Sequence, residues 1–281
     1  MIVAFVEHRR YPSEFQFAAH YIVSDFTFLA HWHTEVELLY VLEGHLTIGI
    51  NQVTYELHAG DIAVIGSGDI HYYSGSSEKA RAIMVIFHPK MIGYERGWKI
   101  HNQFISPVMT ASSFQADEQE SIKQAFLHAI EEFEHRGSGW EMFAVSEVNK
   151  ICAMLTRISD QKGSLQEAWN KLALRNTEIM QNALHYIEEK YNEDINLEDT
   201  AKILNVSPFY FSRLFNKTVG MNFRSYINHL RMNRAYSMIV NTDQSLSTIA
   251  MECGFQSIRS FNRVFKSVKG ISPSSFRQHN S

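Results

Sequence analysis

Two periodicities share this chain. Between Phe26 and His88 the apolar positions come in short runs of strand type. Val36–Leu42 is nearly continuous, while Leu46, Ile48, Ile50, Val53, Tyr55 and Leu57 alternate with polar neighbours. Turn residues separate the runs: Glu43-Gly44, Asn51-Gln52, Ala59-Gly60-Asp61, Gly66-Ser67-Gly68 and Ser74-Gly75-Ser76. Arg81–Phe87 reads as a further strand that Pro89 ends, and the set predicts a β-sandwich or small barrel.

After a poorly patterned stretch, Met91 to Ser113, the period becomes helical. Ile122, Ala125, Phe126, Ala129, Ile130 and Phe133 form one stripe, and Val145, Val148, Ile151, Cys152, Leu155 and Ile158 a second. Gly137-Ser138-Gly139 separates them, which predicts an antiparallel helix pair. The pair either covers the barrel or forms a dimer seam. Residues 161–175, with Lys162-Gly163-Ser164, read as a linker, although Leu165–Leu174 has partly helical character. From Asn176 onward every segment is helical.

That helical third repeats itself. Ser207/Ser257, Phe211/Phe261, Arg213/Arg263, Phe215/Phe265 and Gly220/Gly270 are each fifty positions apart, so one supersecondary unit is used twice. In the first copy Asn196 caps a short helix, Asn205-Val206 turns, Ser207-Pro208 restarts and Gly220 stops. In the second copy Ser245, Gly254, Ser257 and Gly270 follow the same plan, with one extra residue in the turn. Phe223–Val240, without Gly or Pro, joins the copies as a continuous helix, and Ser272-Pro273 opens a closing one.

Phe211, Leu214, Phe215 and Phe261, Val264, Phe265 fall on core stripes. The opposite stripes hold Phe209, Ser212, Arg213 and Asn216, then Ile258, Arg259, Asn262, Arg263 and Lys266. Arg pairs bidentately with guanine and Asn with adenine, while capped helix starts offer N–H groups to phosphate. For any single Arg, a phosphate contact stays open beside base reading.

Charge changes the picture more than composition does. The chain is 45% hydrophobic and 20% charged, ordinary for a globular protein, with a net charge of −4. From Asn205 onward, ten Lys/Arg face two acids, a net of +8, while residues 1–174 carry 13 basic and 21 acidic side chains, a net of −8. A basic module on an acidic one suits a nucleic-acid binder. Met1 to Arg10 lacks the apolar run of a signal peptide, no stretch reaches membrane-spanning length, and Cys152 and Cys253 suggest no disulfide framework. A cytoplasmic protein, without a membrane role, is the expectation.

Ile249-Ala250, Gly254-Phe255, Ser257, Phe261, Arg263, Phe265-Lys266, Gly270, Ser272-Pro273 and Phe276-Arg277 together resemble the C-terminal signature of the AraC/XylS family of bacterial regulators. The resemblance covers about the last hundred residues. It implies two helix-turn-helix units on a central helix, whose recognition helices enter adjacent major-groove segments about 34 Å apart. The implied DNA-binding residues are Ser207, Phe209, Ser212, Arg213, Ser257, Ile258, Arg259, Asn262, Arg263 and Lys266. Phe209 and Ile258 depart from the polar residues common there, so thymine-methyl contact or packing is open at both.

In the N-terminal region His31-Trp32-His33, Glu37 and Gly44 resemble the first cupin motif; Gly60, Gly68 and His71 resemble the second. Gly66 replaces a usual Pro and Gly75 a frequent Asn. His31, His33, Glu37 and His71 are ligand types that suit a divalent metal. AraC-like barrels also hold a small effector, often a sugar, without metal, so no cofactor is obligatory. The expected effector pocket comprises His31, Trp32, His33, Glu37, Tyr40, His71 and Tyr73, with Tyr55 and Tyr72 as further aromatic faces.

The resulting expectation is an α+β chain: residues 1–112 a cupin-like effector-binding barrel, 113–160 a helical pair, 161–175 a linker, and 176–281 an all-α AraC-type DNA-binding domain. Its function would be ligand-responsive, sequence-specific transcription regulation, as an activator of carbohydrate-use genes. It would not be an enzyme. Double-stranded DNA, a small-molecule effector, RNA polymerase and a second copy are the expected partners. The alternatives are a metal-dependent cupin enzyme fused to a DNA-binding tail, and a constitutive DNA-binding protein with a purely dimerising barrel.

Overall fold

A computed structural model describes residues 15–23, 27–74, 80–93, 106–161 and 171–280. Met1–Arg10, Phe26, the Gly75-Ser76 end of a predicted turn and Lys162-Gly163-Ser164 lie outside them. The chain divides into two compact units, one within Val6–Thr177 and one within Glu178–Ser281.

The first unit carries nine described strands: β1 (Phe17–Val23), β2 (Phe28–His31), β3 (Val36–Glu43), β4 (His45–Ile50), β5 (Val53–His58), β6 (Ile62–Ile65), β7 (His71–Ser74), β8 (Arg81–Phe87) and β9 (Val108–Met109). They form two antiparallel sheets, ordered β1-β8-β3-β6-β9 and β2-β7-β4-β5. Helices α1 (Ala116–His135) and α2 (Trp140–Gln161) follow.

The apolar run of β3 exists because both of its faces are covered. Val36, Leu38 and Tyr40 join Phe126, Ala129, Ile130, Ile151 and Leu155 in a core between the five-stranded sheet and the helix pair. Leu39 and Val41 point the other way, into a core between the two sheets with Ile48, Ile50, Leu57 and Tyr73. A fully buried side chain such as Phe126 contributes about 1.5–3 kcal/mol. The buried stripe of the helix pair therefore faces the five-stranded sheet.

Two strands escaped the sequence pattern. β1 begins before Phe26, and two-residue β9 lies in the stretch that read as unpatterned. β9 owes its existence to its ladder with Ile62 and Ala63 of β6, not to local propensity.

The second unit opens within α3 (Lys171–Lys190) and continues through α4 (Leu197–Ile203), α5 (Pro208–Val219), α6 (Phe223–Asn241), α7 (Leu246–Glu252), α8 (Ile258–Lys269) and α9 (Pro273–Asn280). The predicted linker is shorter than expected at its end, since Lys171–Arg175 is already helical. Nothing from Lys171 to Asn176 interrupts a helix, and Leu172, Ala173 and Leu174 include strong helix formers. Among the described residues no helix is long and apolar enough to cross a membrane. Both cysteines are free and buried.

Candidate functional site

Strand alternation assembles the first site. His31 and His71 are direct cross-strand partners on β2 and β7; His33 follows His31 by two residues, and Glu37 follows His33 by four. All four side chains are buried: 1% exposed for His31 and His33, and 0% for Glu37 and His71.

Each imidazole is held by a backbone carbonyl. Nδ1 of His31 lies 2.9 Å from Leu29 O, Nδ1 of His33 3.1 Å from Glu35 O, and Nδ1 of His71 3.0 Å from Asp69 O. A carbonyl only accepts, so each Nδ1 carries the proton and each Nε2 of a neutral ring presents a lone pair. The ligand atoms of the three histidines lie within 4.8 Å of one another. The Nε2 atoms of His33 and His71 are buried without a hydrogen-bond partner; they stand 3.4 Å and 3.8 Å from Glu37 Oε2. Burial, and after it His71 and His33, hold His31 well below the usual histidine pKa, with Glu37 opposing. Burial thus favours the neutral form of the His31 ring. A divalent cation accepting three Nε2 lone pairs fits that donor set, with Glu37 supplying the compensating carboxylate.

Tyr73 belongs to the cage, because its hydroxyl donates to Glu37 Oε1. Tyr40 does not. Its ring packs 5.3 Å from Phe126 in the core beneath α1. It lies three positions from Glu37, and an odd step on a strand crosses the sheet. Trp32, at the alternate position between His31 and His33, is half-buried, and its indole Nε1 is buried without a hydrogen-bond partner. Tyr72 lies across Gly49, where an added Cβ would meet its ring at 1.9–2.5 Å, and its hydroxyl is 3.0 Å from Thr54 Oγ1. Tyr55 is partly buried against the inter-sheet core. Sequence patterning missed Glu35, whose buried carboxylate lies 3.7 Å from His33 Nδ1; nothing in the local pattern marks it.

The second site is a pair of exposed helix faces. α5 and α8 have the same length, and both end at a glycine with φ of 75°. The Oγ of Ser207 accepts from Tyr210 N–H at 3.3 Å, and the Oγ of Ser257 accepts from Ser260 N–H at 3.2 Å. Phe211, Phe215, Phe261 and Phe265 are buried. On the other faces Ser207, Phe209, Arg213, Ser257, Ile258, Arg259, Asn262, Arg263 and Lys266 are exposed, and Ser212 is half-buried. Phe209 is 74% exposed, and the Arg213 guanidinium stands 5.9 Å from its ring centre. An exposed aromatic ring and a guanidinium thus stand together beside a capped helix start.

Residues 200–279 match the helix-turn-helix domain family, and residues 19–87 match the cupin domain family. The regulatory protein PocR of Salmonella typhimurium is 36% identical over 99 residues, covering 35% of this chain and 33% of PocR. The Msm operon regulatory protein of Streptococcus mutans is 26% identical over 241 residues, 85% of this chain and 82% of that protein. The melibiose operon regulatory protein of Escherichia coli is 22% identical over 268 residues, 89% of this chain and 83% of that protein.

The chain is similar to AraC-type regulators, and its residues 200–279 carry their helix-turn-helix domain. The chain spans a third of the length of PocR. A helix-turn-helix domain and a cupin domain thus meet in one chain. The helix-turn-helix match encloses α5, α6, α7 and α8. The cupin match encloses the three histidines and Glu37.

Proposed function

We propose that this protein is a cytoplasmic, ligand-responsive activator of carbohydrate-use genes. The barrel receives a small sugar effector, and α5 and α8 read two successive major-groove segments. It acts as a homodimer and contacts RNA polymerase. The observation that carries the DNA reading is the pair of matched helices, equally capped, with their basic faces exposed. A sugar effector is supported by the buried polar cage and by a relative named for the melibiose operon.

Arg213→Ala and Arg263→Ala should each lose roughly 1–3 kcal/mol on the cognate site and relax specificity at one base. Lys266→Ala should weaken all sequences evenly, as a phosphate contact does. Binding-site selection checks this: wild-type preferences in both Arg variants would remove the base-reading assignment.

The barrel reading includes a divalent metal held by His31, His33 and His71 beside Glu37. Such an ion would supply a Lewis-acidic seat for effector hydroxyls. Glu37→Gln should lower its occupancy, since an amide keeps the shape and loses the charge, and elemental analysis of the purified protein reads this directly. Metal-free wild type that still responds to effector in DNA binding would remove the metal and leave the effector role. Thermal shift against mono- and disaccharides tests that role separately, because a ligand at a hundred times its Kd stabilises the fold by about 2.7 kcal/mol. No shift with any sugar would favour a purely dimerising barrel.

A further inference from the structure

We propose that Arg231 and Gly254 form a lock between the two helix-turn-helix units, and that this lock sets the spacing of the DNA segments they read. The inference rests on the DNA-reading proposal above.

α6 changes partners along its length. Near its start, Phe223 and Tyr226 pack on α5, with ring centres 5.3 Å and 5.5 Å from Phe215. Further on, Met232, Ala235 and Ile239 join Ile249, Phe261 and Phe265 in the core of the second copy. Arg231 stands at the changeover. Its Nε donates to Tyr191 O at 2.6 Å and its Nη2 donates to Glu193 O at 2.7 Å. Its guanidinium also lies 5.8 Å from the Phe255 ring centre, in the turn between α7 and α8. Arg234, one turn along, sits 5.8 Å from the Tyr191 ring centre. The segment so held follows the end of α3 at Lys190, where helix carbonyls lack internal partners and favour a cationic donor.

Gly254 meets the same segment from the other side. The internal repeat separates backbone need from packing need. Asn205 occupies the equivalent turn of the first copy with φ of 54°, against 84° for Gly254. The following residues make matching bonds, Val206 N–H to Ala201 O at 3.0 Å and Phe255 N–H to Ala250 O at 2.9 Å. Asparagine therefore satisfies the left-handed turn in the first copy. In the second, an added Cβ would lie 2.7 Å from the Cα and O of Asn192 and 2.8 Å from its carbonyl carbon. Close approach of backbone to backbone, beyond φ alone, selects glycine here.

One connecting helix leaves two lobes free to bend about it. A second tie, from residues 191–193 to Arg231, Gly254 and Phe255, removes that freedom. A role in stability alone would change the melting temperature and leave spacing preference as it was.

The test uses the full chain and a site selected by the wild type from random DNA. Affinity is measured on that site, on each half alone, and on versions with one or two base pairs inserted between the halves. Each insertion shifts the halves by about 3.4 Å and turns them by about 34°. Wild type should lose about tenfold per inserted pair, while Arg231→Met and Gly254→Asn should lose only about twofold. Gly254→Asn keeps a residue that the turn accepts in the first copy and adds only the clash. Arg231→Lys, retaining one donor, should restore part of the spacing dependence. Half-site affinities should stay near wild type, with circular dichroism confirming the fold. Folded variants with wild-type spacing dependence overturn the lock. A wild type that selects a single half-site overturns the two-lobed reading, and the lock with it.

Discussion

Asn233→Pro in the middle of α6 is expected to reduce affinity for the full DNA site to that of one unit alone. Proline at this position removes a main-chain hydrogen bond and presses on the preceding turn, at a cost of about 3 kcal/mol or more. Asn233 lies just beyond the point where α6 passes from the Phe211–Phe215 cluster to the Ile249–Phe261 core. Each unit keeps its own aromatic core, so the damage falls on their relative geometry. Loss of one unit's base contacts, at about 1–3 kcal/mol for each good pair, amounts to something on the order of 10³-fold. Fluorescence anisotropy on full and half sites measures this. Full-site affinity retained by a folded variant would speak against a rigid two-lobed reader.

The second large effect is salt. DNA binding should weaken by about 10³-fold between 50 mM and 200 mM salt if about six phosphates are neutralised. The charge behind it is the net +8 from Asn205 onward. Arg213, Arg224, Arg234, Arg259, Arg263 and Lys266 are all exposed there and available to displace counterions. The acidic N-terminal half, at −8 over residues 1–174, adds repulsion that screening relieves, so residues 171–281 alone should show the steeper slope. A plot of log affinity against log salt checks both chains, and a flat plot for residues 171–281 would sink the electrostatic reading.

Much of this was legible because local rules decide it. The fifty-residue offset became two helices of equal length, with the predicted Ser207 and Ser257 caps and the Gly220 and Gly270 stops. The extra turn residue of the second copy appears between Glu252 and Ile258. Capping and left-handed stops depend on neighbours within a few positions, so a sequence displays them directly. The His31-Trp32-His33 alternation likewise carried two imidazoles to one face.

Tyr40 marks where that reading slipped. Its odd separation from Glu37 already placed it on the other face, but an apolar run covered on both sides hides its parity. β9 was not legible, since it depends on its ladder with β6; the carbonyl anchors of the three histidines lie only two residues away, but the backbone and ring geometry that makes them is not written in the residue types.

By itself, then, the sequence determined most of the elements, the helix caps, the repeated helical unit and the residue types of the histidine cage, because periodicity and termini are local physics. Tertiary structure alone decided which Nε2 atoms face one another, that the helix pair is buried on the sheet, and why position 254 excludes a side chain. The last is the clearest case. The atoms that exclude a Cβ there belong to Asn192, far away along the chain, and only the fold brings that backbone within 2.7 Å.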